Sequence, residues 1–160
     1  MNDDATVSLA VPNEIETTRL LKAPPSLVWQ ALTDPAHVGH WWGPTGFSTT
    51  TRRHDLRVGG HWEHTMHGPD GRDWPNFLRY TEVRPHEFLA WDHGTEEGGE
   101  PWFKASIRLE PVEGGTRITL RHVFESAAKR DEIIAMSGAV EGARQTTARL
   151  AGYLGQLQAR

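Results

Sequence analysis

The chain changes its hydrophobic rhythm twice, and those changes divide it into three parts. Residues 14–22 alternate and are rich in β-branched side chains, which predicts a first strand ended by Pro24 and Pro25. Leu27, Val28, Ala31 and Leu32 then recur at helical spacing behind a proline suited to a first turn, which predicts a short amphipathic helix over 26–33. Asp34 before Pro35 has the chemistry of a cap and a first helical position. It opens a second short helix through His37, Val38, Trp41 and Trp42, closed by Gly43 and Pro44.

From Gly46 the period becomes two, with breaks at Gly59-Gly60, Gly68–Gly71, Pro85, 94–101 and Gly114-Gly115. This spacing predicts a meander of antiparallel strands near 47–54, 61–67, 73–84, 87–93, 102–111 and 116–125. Trp62, His64 and Met66 share a face of their strand. So do Phe103, Ala105, Ile107 and Leu109, and likewise Ile118, Leu120, His122 and Phe124; these faces are expected to point inward.

Over 128–158 the rhythm turns helical: Ile133, Met136, Val140, Ala143, Thr147, Leu150, Leu154 and Leu157 follow at steps of three and four. Glu132, Glu141, Arg149 and Gln156 fall on the opposite side, and Gly138 and Gly142 are places where this helix can bend. The order β-α-α-β-β-β-β-β-β-α reads as one α+β domain over 13–160, with residues 1–12 a frayed, acidic end lacking the basic and apolar segments of a secretory signal.

Composition narrows the function classes. The 160 residues suffice for one core, and no apolar run approaches the roughly 20 residues that span a bilayer. Cysteine is absent, which removes disulfides, thiolate metal sites and cysteine nucleophiles and suits a cytoplasmic location. A formal charge of −4 with no basic block argues against nucleic acid, while nine histidines, if all were protonated, would reverse the sign in mild acid.

The local wording then carries a resemblance. Ala23-Pro24-Pro25 to Val28-Trp29, Leu32-Thr33-Asp34-Pro35, Trp41-Trp42-Gly43-Pro44 with Gly46-Phe47, and Asp55-Leu56-Arg57-Val58-Gly59-Gly60-His61-Trp62 follow one another in order. Met66 to Gly71, Tyr80-Thr81-Glu82-Val83 before Pro85, and Glu141-Gly142 with Gln145-Thr146 ahead of Leu150-Ala151 complete the set. Over nearly its full length the chain resembles the START-like (SRPBCC) superfamily, in the branch named for the activator of the ninety-kilodalton heat-shock-protein ATPase. The resemblance implies a helix-grip fold, like that of the birch-pollen allergen, in which a curved antiparallel sheet wraps a long C-terminal helix around an apolar cavity. Chaperone activation does not follow from it, because the chain has no room for the second domain by which the eukaryotic activator engages its chaperone.

Within that frame the expected cavity lining is Trp62, His64, Met66, Leu78, Tyr80, Trp91 and His93, then Phe103, Ala105, Ile107, Leu120, His122 and Phe124, with Met136 and Val140 from the helix. Trp62 and Trp91 fit equally a pocket wall or a plain core, whereas Trp29 and Trp42 read as structural. His64, His93 and His122 read as neutral imidazoles that hydrogen-bond in the core or orient a ligand, since no short histidine spacing fixes a metal; His37, His40 and His54 read as surface residues. No nucleophile elbow, phosphate loop or cofactor motif is present, so neither a metal nor a cofactor is expected.

The leading expectation is a monomeric or homodimeric binder of a small hydrophobic or amphipathic ligand, without membrane insertion. Two alternatives stand beside it. START-like cyclases and aromatases imply that Tyr80, Glu82, His64 and His122 could move protons on a bound substrate. A chaperone or regulatory interaction module would instead present exposed tryptophans among Trp41, Trp74 and Trp102.

Overall fold

The computed structural model describes residues 5–159, so the first four residues of the expected frayed end lie outside the described part. Eight strands form one antiparallel sheet in the order β1-β2-β8-β7-β6-β5-β4-β3. They are β1 (Thr6–Ser8), β2 (Glu14–Leu21), β3 (Ser48–His54), β4 (His61–His67), β5 (Asp73–Arg84), β6 (Phe88–Gly94), β7 (Phe103–Val112) and β8 (Gly115–Val123). The helices are α1 (Pro25–Thr33), α2 (Pro35–Val38), α3 (Ala127–Ser137) and α4 (Ala139–Gln158). The six predicted meander strands are all present, and Thr6–Ser8, inside the stretch expected to fray, pairs with β2 as an edge strand.

Local chemistry sets the helix ends. Asp34 caps α2, its carboxylate accepting from the Ala36 amide at 2.9 Å, and Pro35 takes the first helical position. Trp41 and Trp42 lie in the turn beyond α2 rather than within it. The predicted single C-terminal helix is two helices: Gly138 adopts φ 63°, ψ 39° between α3 and α4, a left-handed conformation that ends the first helix and redirects the second.

Cross-strand partners share a face, so the register defines the concave side of the sheet. Ile15, Thr17, Arg19 and Leu21 of β2 stand opposite His122, Leu120, Ile118 and Thr116 of β8. Ala105, Ile107 and Leu109 continue the row, followed by Trp91 and Leu89, then Tyr80 and Val83. Register shifts between Thr51 and Arg53 and between Tyr80 and Glu82 bend the sheet at β3 and β5. Val28, Ala31 and Leu32 of α1 and Leu150, Tyr153 and Leu154 of α4 fill the hollow as one apolar cluster with these residues.

Close backbone approach also shapes the fold at the β7–β8 turn. A Cβ on Gly115 would stand 1.9 Å from the Leu21 carbonyl oxygen, a contact no side chain can make. Gly115→Ala is therefore expected to lower stability by about 2–3 kcal/mol, which denaturant unfolding would detect as a shifted midpoint.

Candidate functional site

The centre of the concave face is packed with aromatic side chains. Trp42 meets Trp62 edge-on at 4.9 Å between ring centroids and lies 6.2 Å from Trp91, and Trp41 packs against Trp42 at 5.6 Å. Indole N–H groups are satisfied within this cluster: Trp62 donates to Thr51 Oγ1 at 3.0 Å and Trp41 to the Ala31 carbonyl at 2.9 Å. Trp62, Leu78, Trp91, Ala105, Ile107 and Leu120 are buried members of the core, and Phe124 is buried beside Phe103. Two surface recesses are present, one of about 410 Å³ by Pro24, Pro25 and Pro111 and one of about 590 Å³ among Arg52, Arg53, Glu63 and Glu97, the second also bordered by His64 and Asn76.

Toward the end where β8 meets the start of β2, packing loosens. Trp42, Met66, Asn76, His93, Phe103, His122 and Val140 face the interior yet remain half-buried. His93 stacks on Phe103 at 4.6 Å, and Phe103 meets His122 edge-on at 5.1 Å. α3, which stands at this end, buries none of its residues completely. The result is a recess walled by aromatic rings and imidazoles.

Hydrogen bonding fixes the state of one histidine. Trp91 Nε1 can only donate, and it donates to His93 Nδ1 at 3.2 Å, so the proton of His93 sits on Nε2 and is given to Asn76 Oδ1 at 2.7 Å. Asn76 in turn donates to the Trp74 carbonyl at 3.0 Å. Burial, with the neighbouring His122, holds His93 down to about 3, and burial holds His122 at about 4.

His64 differs from both. It is 1% exposed, stacks on Trp62 at 3.7 Å and meets Trp42 edge-on at 5.8 Å, and neither ring nitrogen has a hydrogen-bond partner among the described residues. Burial, followed by His93, pushes it down to about 2, so it is a neutral imidazole with one unused donor and one unused acceptor.

Three expectations need correction. Glu82 does not enter the interior: the bulge after Tyr80 turns it outward, where it is 46% exposed and pairs with Arg84 at 2.6 Å. Met136 is 73% exposed, because the break at Gly138 takes α3 out of line with the apolar stripe that α4 continues. His54 is not a surface residue; it lies 6.4 Å edge-on from Trp62 and its Nε2 meets the Tyr80 hydroxyl at 3.1 Å. Burial lowers the proton affinity of His54 and raises the pKa of the Tyr80 phenol. Tyr80→Phe leaves His54 unpaired and is expected to cost about 1–2 kcal/mol in thermal or denaturant unfolding.

Among the described residues no group of three His, Asp or Glu side chains converges as a metal site would require. No helix of the described residues is long and apolar enough to cross a membrane. Trp41 is buried and cannot serve a docking patch, while Trp74 and Trp102 are 39% and 50% exposed, the first under the Arg72 guanidinium at 4.2 Å.

A curved sheet gripping a C-terminal helix, with an aromatic hollow between them, defines a START-like (SRPBCC) helix-grip domain. Within that class the chain belongs to the family described as activator of Hsp90 ATPase homolog 1-like protein, whose model matches residues 22–155. A Nitrosomonas europaea protein of known structure is 30% identical, with a TM-score of 0.85 over 94% of this chain and 99% of that one. An Arthrobacter aurescens protein is 28% identical, with a TM-score of 0.85 over 94% and 91% of the two chains. A Rhodobacter sphaeroides protein at 24% identity shares the fold, with a TM-score of 0.83 over 96% and 99%. No curated protein matches this chain in sequence.

Proposed function

We propose that the protein binds a small, mainly apolar molecule in the recess bordered by Trp42, Met66, His93, Phe103 and His122. The observation that carries this reading is that these side chains face inward and yet are left half-buried by α3 and α4. Covering them with a ligand would yield about 25 cal/mol per Å² of apolar surface, and the nearby imidazoles would orient a polar end. The tightly packed centre implies a guest held near the rim rather than one swallowed whole.

Thermal-shift and native mass-spectrometry screening with fatty acids and flat aromatic compounds should find a molecule that binds one to one and raises Tm by several degrees. Phe103→Ala is expected to weaken that molecule about tenfold or more. Absence of any stabilising compound, or amide shifts confined to the outer face around Glu63 and Glu97 on adding one, would refute the reading.

An acid–base enzyme finds less support. Glu82 faces solvent and Tyr80 is engaged with His54, and among the described residues no carboxylate is hydrogen-bonded to His64, His93 or His122.

A further inference from the structure

The polar groups of the recess point to the charge and chemistry of its ligand. Resting on the binding reading above, we propose that the site selects uncharged, flat apolar molecules with a hydroxyl or carbonyl edge bonded to His64, and rejects anions. His64 supplies the central observation, since two buried ring nitrogens without partners are costly and call for a matching group. His93 cannot supply that match, because Trp91 and Asn76 already use both its nitrogens. His122 makes no hydrogen bond through its ring among the described residues and offers a second donor and acceptor along the same wall. The Trp42 ring, half-buried and edge-on to His64 at 5.8 Å, is the part of the recess wall that adjoins this imidazole.

The absence of compensating charge argues for neutrality. Along the described strands, the concave face carries no carboxylate and no lysine: Glu82, Asp92 and Lys104 all face outward in ion pairs. Its one fixed cation, Arg19, donates to Thr147 of α4 and sits opposite Ile118. That is four residues along β2 from Ile15, the partner of His122, or about 13 Å at ~3.3 Å per residue. Arg149 of α4 stands beside Trp42 but is already committed to the carbonyls of Trp42, Gly43 and Pro44, so a carboxylate in the recess would lose its water without an uncommitted counter-ion, and the buried imidazoles resist taking up the proton that would provide one.

The test is titration of the native protein at pH 7.5 with naphthalene, 2-naphthol and 2-naphthoate. 2-Naphthol should bind about tenfold or more tightly than either of the others, the hydroxyl being the useful addition and the carboxylate a penalty. In His64→Phe, naphthalene binding should persist and 2-naphthol should fall to within about threefold of it. His64→Gln, which keeps a donor and an acceptor, should retain the preference. If His64→Phe does not fold, the ranking in the native protein and the Gln variant decides. Equal binding of naphthalene and 2-naphthol, tightest binding of 2-naphthoate, or a preference that survives in His64→Phe, as when only water satisfies His64, overturns this proposal and leaves the binding reading standing. If none of the three binds, both are overturned.

Discussion

Lowering the pH from 7 to about 4.5 should unfold the protein, with an uptake of two to three protons at the transition. His64, His93 and His122 are held by burial at about 2, 3 and 4 in the fold. In the unfolded chain each returns to about 6.5, so below that pH the unfolded state binds protons that the native state refuses. The stability tied to these neutral rings is complete above about pH 6.5 and is lost as the pH falls toward their folded values. Each contributes up to about 1.4 kcal/mol per pH unit, or about 4 for the three together, against a total stability that is typically about 5–15 kcal/mol. Glu14 acts in the same direction lower down: its pairing with Arg121 depresses its pKa below 4.5, so that contribution is lost in stronger acid. His64→Phe should remove about one proton from the linkage, read as the slope of unfolding free energy against pH. A protein still folded at pH 3.5, or a slope below one proton, would show that these rings are not neutral in the native state.

The same burial revises an expectation drawn from composition. Nine protonated histidines would take the formal charge from −4 to +5. With His64, His93 and His122 held neutral inside, the other six, if all protonated, bring the folded protein no further than about +2. Surface charge therefore shifts less than a count of residues implies, and the larger consequence of acid falls on the core.

Much of the architecture was legible because period-two faces and paired glycines leave few alternatives to a meander, and the two helices after β2 announce themselves through Pro25, Asp34 and Pro35. What could not be read were the departures from regular geometry. A single extra residue after Tyr80 sends Glu82 to the other side of β5, and no side-chain pattern marks the bulge. The left-handed Gly138 looks in sequence like any helical glycine able to bend, yet it takes Met136 from stripe to surface. His54 reads as a surface residue in the sequence; its approach to Tyr80 depends on a second irregularity, between Thr51 and Arg53. Histidine type and strand face together identified the three recess imidazoles, but which one lacks partners depends on Trp91 and Asn76, and only the tertiary register brings those to His93.

Arg149 is where this difference has its largest expected effect: Arg149→Ala should lower stability by about 2–4 kcal/mol and loosen the wall of the recess. The helical pattern places this residue on the solvent side, but its guanidinium reaches across to the turn after α2. There it donates to the carbonyls of Trp42, Gly43 and Pro44 at 3.1, 2.9 and 2.9 Å, and to His40 at 3.4 Å. Four residues earlier on α4, Gln145 accepts from the Thr45 amide at 3.2 Å, so one helix face holds the whole turn. The turn is tight because Gly43, at φ +88°, lies under Met66, whose Cε would be 2.5 Å from a Cβ there. Removing the cation leaves carbonyls partly buried without donors, and charge-assisted hydrogen bonds are worth about 1.5–3 kcal/mol each before such overlaps are counted. Lysine would keep the charge but not the planar fork, so Arg149→Lys should recover only part of the loss. For a chain of this length the alanine variant should melt about 4–16 °C lower. Because Trp42 rides on the released turn, its fluorescence should shift to longer wavelength well below the melting temperature. A variant within about 0.5 kcal/mol of the native protein, with unchanged tryptophan emission, would mean that the turn is held by the packing of Trp41 and Trp42 alone.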